Sequence, residues 1–203
     1  EKCGADKIII SPPRFIFNEE KTIKRLSELK ELEISRLFCH TPDCIAIGRK
    51  LGFRLHGSFT LNIYNSYSAS YMKQLGLEDF TVSFEAKLTQ IAKMRREIPL
   101  GAVTYGRLPL MLTRNCPIKN EVGCAQCSGS ITDRTGRKFP IVCAKEYVEI
   151  LNPNTLLITD KEMCGADFSL IMLNKETPQQ VRDALSGKRP DGDVTHGLYY
   201  RGI

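Results

Sequence analysis

Four cysteines fall inside one 28-residue window: Cys116, Cys124, Cys127 and Cys143, in CPIKNEVGCAQCSGSITDRTGRKFPIVC, at the spacing C-x7-C-x2-C-x15-C. A tight C-x-x-C pair with one thiol before it and one after can wrap four sulfurs around one centre. Zinc takes such a tetrahedral thiolate cage and is then coordinatively closed, which makes it structural. A 4Fe-4S cluster takes four thiolates too and brings electron transfer. The window holds a single C-x-x-C where zinc modules often carry two, which favours the cluster over Zn. The remaining cysteines, Cys3, Cys39, Cys44 and Cys164, lie scattered among apolar neighbours and read as buried structural thiols. Basic residues surround the window: Arg107, Arg114, Lys119, Arg134, Arg137, Lys138 and Lys145, against Glu121, Asp133 and Glu146. Such a rim suits phosphate contacts, and Arg114, Lys119, Arg134, Arg137 and Lys138 are the candidate nucleic-acid residues. On charge alone, a solvated surface is the favoured reading.

The elements that must position these groups follow from periodicity. KIIIS (7–11) reads as a strand, and 19–33 as a helix with Ile23, Leu26, Leu29 and Leu32 on one stripe. SRLFCH (35–40) is a strand, Pro42 opens a helix that Gly52 ends, and FRLHGSF (53–59) is the next strand. Residues 65–76 form a helix with an Asn cap and a Gly stop. FTVSFE (80–85), a helix over 86–95 and PLGAVTYG (99–106) complete a β-α-β-α-β-α-β-α-β series. Short connections of this kind predict an α/β fold with parallel strands and outer helices. The strand count falls short of a closed eight-stranded barrel, so the chain reads as the later part of a TIM-type (β/α) barrel, or as an open sheet. Three regions are expected: barrel elements over 1–106, a four-cysteine insertion over 107–147, and final barrel elements with a basic tail over 148–203. Within them SITDRTGRKFPIVC predicts a β-hairpin turning at 134–136, FSLIMLN (168–174) a strand, and 177–187 a helix with a Thr cap.

In a parallel α/β sheet, ligands sit at the carboxyl ends of the strands. Those ends carry Cys39 and His40; His56 with Asn62 and Asn65 beyond it; Ser83 and Glu85; and Tyr105 and Arg107. His56, Glu85, Tyr105 and Arg107 are the candidate catalytic residues. Each has a plainer role: His56 as a core histidine, Glu85 as a cap for the next helix, and Asn62 and Asn65 as turn and cap residues.

The composition is that of an ordinary globular protein, 42% hydrophobic and 26% charged with a net charge of +6. That mild excess permits an anionic partner without requiring one. No run of about 18 apolar residues exists, so no transmembrane helix and no membrane partner are expected. The start, EKCGADKIII, shows neither initiator Met nor signal peptide. A piece of a longer cytoplasmic protein is expected, its missing N-terminal half or an oligomer covering the exposed sheet edges.

The runs LGFRLHGSFTLNIYNSYSASYMKQLGLEDFTVSFE, YGRLPLMLTRNCPI, GCAQC, DRTGRKFPI and THGLYYRGI, in this order, resemble the bacterial collagenase-like peptidases, family U thirty-two of uncertain catalytic type. The resemblance implies a TIM-type barrel. It implies a collagenase-like protease in some members. In others it implies hydroxylation of RNA bases, in tRNA uridine or 23S rRNA cytidine, or oxygen-independent hydroxylation of ubiquinone. The hydroxylation-linked members are similar to iron–sulfur proteins with four cysteine ligands, here Cys116, Cys124, Cys127 and Cys143. Many members carry a further cysteine shortly before the first ligand. This chain has none there, and its YGRLPLM form resembles the branch of rRNA cytidine hydroxylation.

Three readings of function follow. A cluster-dependent enzyme acting on RNA would use the basic rim on phosphates and Tyr105, Tyr199 and Tyr200 to stack on bases. A peptidase would need a nucleophile beside a base; the chain offers His40, His56 and His196, and neither a G-x-S-x-G elbow nor an H-E-x-x-H helix. A structural zinc module would brace the insertion without catalysis. The first is the leading expectation.

Overall fold

The structure, a computed structural model, describes residues 4–144, 146–158 and 165–201. Cys3, Lys145 and Cys164 lie outside the described residues. The chain divides into two compact units. One comprises residues 1–103, 161–170 and 198–203; the other comprises 104–160 and 171–197.

The first unit holds the alternating series. Its elements are β1 (Ile9–Ile10), α1 (Glu19–Glu31), β2 (Arg36–Cys39), α2 (Pro42–Lys50), β3 (Arg54–Gly57), α3 (Ser66–Gln74), β4 (Leu77–Thr81), α4 (Leu88–Lys93) and the first half of β5 (Leu100–Gly106). The strands pair in parallel and in chain order from β1 to β5. The later strand Phe168–Ile171 also pairs with β5. No closed barrel forms among the described residues; the architecture is α/β with a mostly parallel sheet.

Local chemistry accounts for the helix ends. Asn18 caps α1 by accepting from the Lys21 amide at 2.8 Å, and Asn65 and Ser68 form a reciprocal capping box at α3. Gly76, at φ 93°, turns the chain from α3 into β4 in a conformation that disfavours any other residue. Several boundaries differ from the expectation: the first strand shortens to Ile9–Ile10, the helix expected over 86–95 to Leu88–Lys93, and the strand expected over 168–174 to Phe168–Ile171. Helix α1 stops at Glu31, leaving Leu32 exposed rather than on the buried stripe. Strand β4 runs over Leu77–Thr81 rather than 80–85, because the Ala86 amide closes a turn on the Ser83 carbonyl at 3.0 Å. The strand at 53–59 ends at Gly57 and gives way to a single turn of 3-10 helix over Phe59–Leu61.

Each strand has two distinct faces. Leu37 and Leu55 point to the helix side, where a Cβ on Gly48 of α2 would stand 2.7 and 2.6 Å from their methyl groups. A side chain there would force both leucines to shift. With Phe80, Ile63, Ile91 and Leu100 they form a core almost entirely removed from water. The residues between them, Arg36, Phe38, His56, Asp79 and Thr81, alternate to the opposite face.

The second unit begins with the second half of β5. It continues with β6 (Pro109–Thr113), α5 (Pro117–Val122), β7 (Ser130–Thr132), β8 (Lys138–Cys143), β9 (Val148–Leu151) and β10 (Thr155–Leu157). After β11 (Phe168–Ile171) come α6 (Pro178–Leu185) and β12 (Val194–Thr195). Strand β10 pairs antiparallel with β5 and carries β12 in parallel on its other edge. Strands β6, β9, β8 and β7 form a separate antiparallel sheet in that order. The hairpin at 130–143 forms as expected; the sheet it joins, with β6 and β9, was not legible in the sequence. Its small core of Ile118, Ile141, Val148 and Ile150 packs against Cys116, Ile131 and Phe139.

Candidate functional site

The thiol site belongs to the second unit. Cys116 precedes α5, Cys124 opens a single 3-10 turn, Cys127 ends it, and Cys143 ends β8 opposite Val148 of β9. The Cys127 amide bonds back to the Cys124 carbonyl at 3.3 Å, folding the C-x-x-C pair into one turn. Gly129 then donates its amide to Cys127 Sγ at 3.4 Å. The Ile141 amide reaches the Gly129 carbonyl at 2.9 Å, which ties that turn to the strand carrying Cys143. Partial burial and the neighbouring thiols of Cys116, Cys127 and Cys124 push the Cys143 thiol above its ordinary range, and the ammonium of Lys175 opposes them. Lys175 Nζ also donates to the Gly129 carbonyl at 3.3 Å. The thiols of Cys116, Cys124 and Cys127 thus lie within electrostatic reach of Cys143. No three His, Cys, Asp or Glu side chains among the described residues stand close enough to hold a metal as they are. Four thiols are the donor set of a four-thiolate group; Cys116 is half-buried and Cys124, Cys127 and Cys143 are exposed.

The basic residues are spread along this unit. Arg114 follows β6, Lys119 sits on α5, and Arg134, Arg137 and Lys138 crowd the tip of the β7–β8 hairpin, all exposed. The tip is rigid. Asp133 Oδ1 accepts from the Thr135 amide at 2.8 Å, the Thr135 hydroxyl at 2.7 Å and the Arg137 amide at 3.0 Å, which holds its carboxyl below the usual range. Lys138 and Cys143 bound the same strand, and at about 3.3 Å per residue its ends lie roughly 17 Å apart. The hairpin-tip cations thus stand at the far end of β8 from the cysteines.

The first unit holds a second constellation. A cavity of about 470 Å³ opens on the sheet face opposite the helices. Arg36, His56 and Asp79 line one wall, with Ile9, Phe38 and Phe168 among its apolar lining. His56 Nδ1 lies 2.7 Å from Asp79 Oδ2, and Arg36 Nε donates to His56 Nε2 at 3.0 Å. A guanidinium can only donate, so Nε2 is the acceptor and the proton of the neutral ring sits on Nδ1, directed at Asp79. The register creates this contact. Leu55 pairs with Leu77, and a bulge then sets His56 against Asp79 instead of Glu78. Glu78 instead meets Arg54 in an exposed ion pair at 2.7 Å, which holds its carboxyl below the usual range.

Of the four candidate catalytic residues, only His56 lines this cavity. Glu85 is half-buried, and the helix it was expected to cap is closed by Gln90, whose side chain accepts from the Lys87 amide at 2.8 Å. Tyr105 is buried, and that burial raises its hydroxyl above the ordinary range. Arg107 holds the turn between β9 and β10, donating to the carbonyls of Asn152, at 3.2 Å, and Pro153. The stacking role expected of the tyrosines is corrected for two of them. Tyr199 is 1% exposed with its hydroxyl donating to the Val103 carbonyl at 2.8 Å, and Tyr105 is 6% exposed. Tyr200 is the exposed one. Asn62 adopts the left-handed conformation and Asn65 caps α3, the plainer of their two roles. Ser83 is buried. Cys39 and Cys44 are buried thiols in mutual contact; the hydrogen bond between them and burial push Cys39 up, while the same bond draws Cys44 down.

His40 is also buried. Its Nδ1 faces Ser58 Oγ at 3.0 Å and its Nε2 faces Ser11 Oγ at 2.9 Å. Burial and the charge of Arg14 lower its pKa to about 4.

Sequence reasoning missed Arg36, Asp79 and Thr81. The signal was present: a strand buried on both faces reads as a continuous apolar run, and RLFC, RLHG and LEDFT each interrupt it with a polar residue. The His56–Asp79 pair looks like two-thirds of a nucleophilic triad. Its third member is a cation with no removable proton, so the ring has no free nitrogen to activate a serine or cysteine.

Parallel strands in chain order and flanking helices define an α/β protein whose first unit carries a cavity on its open sheet face, and its second unit an antiparallel sheet bearing the thiols. A family model described as Peptidase family U32 matches residues 13–167, and the chain belongs to that family. No curated protein and no solved structure matches it. No helix among the described residues is long and apolar enough to cross a membrane.

Proposed function

We propose that this chain is the thiol-bearing part of an iron–sulfur enzyme of the U32 family that hydroxylates an RNA base. The observation that carries the reading is the placement of Cys116, Cys124, Cys127 and Cys143 in one unit, with Gly129 donating to Cys127 Sγ and Lys175 opposing thiolate charge at Cys143. Those four residues would hold a 4Fe-4S cluster, which supplies electron transfer when bound. Lys175 offsets the negative charge of the thiolates, and the Gly129 amide stabilises the sulfur it meets, both of which favour a more easily reduced centre. The exposed cations Arg114, Lys119, Arg134, Arg137 and Lys138 supply phosphate contacts for the RNA. The alternative reading, a peptidase, rests on the family description, while the occupied ring of His56 offers it no nucleophile-activating base.

Two measurements test the proposal. Protein purified without oxygen should contain iron and acid-labile sulfide, absorb near about 400 nm as thiolate-bound clusters do, and lose that band on Cys116→Ser. A colourless protein with one zinc per chain would refute the cluster. Nucleoside mass spectrometry of RNA from a strain lacking the gene should show one hydroxylated base missing. An unchanged nucleoside profile would refute the RNA assignment.

A further inference from the structure

We infer that Ser11 is a nucleophile that takes an acyl group from an activated carboxylic ester, with His40 as the base that accepts its proton. Every group involved lies in the first unit, so the activity is independent of the cluster and of RNA.

Three neighbouring strands deliver the groups. Ser11 follows β1, His40 follows β2 and Ser58 follows β3, so all three sit at the carboxyl ends of consecutive parallel strands. Reacting groups ordinarily gather at that end of a parallel sheet. Ser11 is exposed and lines the cavity of about 470 Å³, whereas His40 is buried and is not part of the lining. Ser11 Oγ and His40 Nε2 lie 2.9 Å apart, within reach of direct proton transfer. On the other side of the ring, Nδ1 lies 3.0 Å from Ser58 Oγ and 3.4 Å from Thr60 Oγ1.

Thr60 decides the tautomer. Its hydroxyl donates to the His40 carbonyl at 2.7 Å, so toward Nδ1 that oxygen can only accept. The ring proton therefore sits on Nδ1, and the lone pair of Nε2 faces the Ser11 hydroxyl. The Phe38 ring meets the imidazole edge to face at 5.2 Å and holds its plane. An exposed hydroxyl, a base behind it and further groups that orient the base are the parts of an activated nucleophile. His56 differs on this point, since Arg36 occupies its lone pair.

The surroundings select the substrate. Burial and then the charge of Arg14 lower the His40 pKa to about 4, so the ring is in its proton-accepting form at neutral pH but is a weak base. A weak base suits a good leaving group, which points to esters of acidic alcohols and phenols and away from amides. Ile9, Phe38, Phe168 and Leu170 give the acyl chain an apolar bed. The Ser11 oxygen bonds to the ester carbonyl carbon as its proton passes to Nε2. The bond from that carbon to the leaving oxygen then breaks, and Nε2 returns the proton to it. Water repeats both steps on the acyl-serine and releases the carboxylic acid, so ester and water are the only reactants.

An alkyl fluorophosphonate tests the nucleophile, because Ser11 Oγ would displace fluoride at phosphorus while His40 takes the proton. Incubated with the full chain, it should form an adduct that peptide mass spectrometry places at Ser11. Ser11→Ala, a change at an exposed position, should remove that adduct. His40→Gln should label about 100-fold more slowly, the lower end of what a positioned base contributes. Because His40 is buried, ester turnover supplies a measurement that leaves its packing intact. p-Nitrophenyl octanoate should give a burst of nitrophenolate that Ser11→Ala removes. Its kcat/KM should exceed that of the acetate about 10-fold or more, through burial of the longer chain, and the octanoyl p-nitroanilide should not be cleaved. An unmodified Ser11 in the folded wild-type protein would overturn the inference. So would a folded His40→Gln protein that labels at the wild-type rate, or a burst that survives Ser11→Ala. Equal turnover of acetate and octanoate, or of anilide and ester, would overturn the substrate assignment.

Discussion

Acid should unfold the first unit through one histidine. His40 lies between Ser11 and Ser58 and keeps its ring neutral, with a pKa of about 4 caused first by burial and then by Arg14. In the unfolded chain the same ring titrates near its ordinary value of 6.5. As the pH falls through 6.5 the unfolded state takes up a proton that the folded state refuses, so stability drops; below about 4 both states are protonated and the loss is complete. The gap between the two values corresponds to about 3 kcal/mol in all, of which about 2 kcal/mol is lost between pH 7 and pH 5. That window lies above the range in which the lowered carboxyls of Glu78 and Asp167 titrate, so the histidine can be read separately. The assay is urea unfolding from pH 7 to pH 4, on the wild type and on His40→Asn. The wild type should lose stability steeply below pH 6.5 and the variant much less steeply. Proton NMR gives the direct check, since the chain has three histidines and the variant identifies the resonance of His40. Parallel pH profiles for the two proteins, or a His40 resonance titrating near 6.5, would refute the reasoning.

Other outcomes follow from single contacts. A Cβ at Gly101 would stand 2.1 to 2.5 Å from ring atoms of Phe168, so Gly101→Ala should destabilise by about 1–3 kcal/mol through overpacking. Adding Phe168→Leu should recover part of that loss, and strictly additive losses in urea melts would contradict the contact. Tyr199→Phe removes the donor to the Val103 carbonyl and should destabilise by about 1–2 kcal/mol, seen as a lowered Tm; an unchanged Tm would count against that bond. Arg54→Ala breaks an ion pair whose side chains are 57% and 40% exposed, so its effect should be small and vanish at high salt; a large, salt-insensitive loss would mean that Arg54 does more than meet Glu78.

Much of the first unit is legible in the sequence. The stripe of Ile23, Leu26 and Leu29, the Pro42 start, the Asn65 cap and the Gly76 stop are local signals, and the βα alternation follows from them. The antiparallel sheet of β6, β9, β8 and β7 was only half legible, because pairing between Pro109–Thr113 and Val148–Leu151 spans some forty residues and leaves no local trace. The candidate site divides in the same way. The cysteine spacing announced a sulfur site, while the roles guessed for Arg107 and Tyr199 dissolved into a turn clamp and a core hydrogen bond, since a polar residue's type does not reveal which carbonyl it will meet.

By itself, then, the sequence determined the α/β class, the order of elements, and the four thiols at ligand spacing, because periodicity, caps and spacing act over a few residues. Only the tertiary structure decided that His56 faces Asp79 and not Glu78, that Arg36 fixes its tautomer, and that Thr81 is buried without a partner. A bulge of one residue between β3 and β4 sets the first of these and the register of β2 on β3 the second, and strand register is fixed by packing between segments distant in the chain.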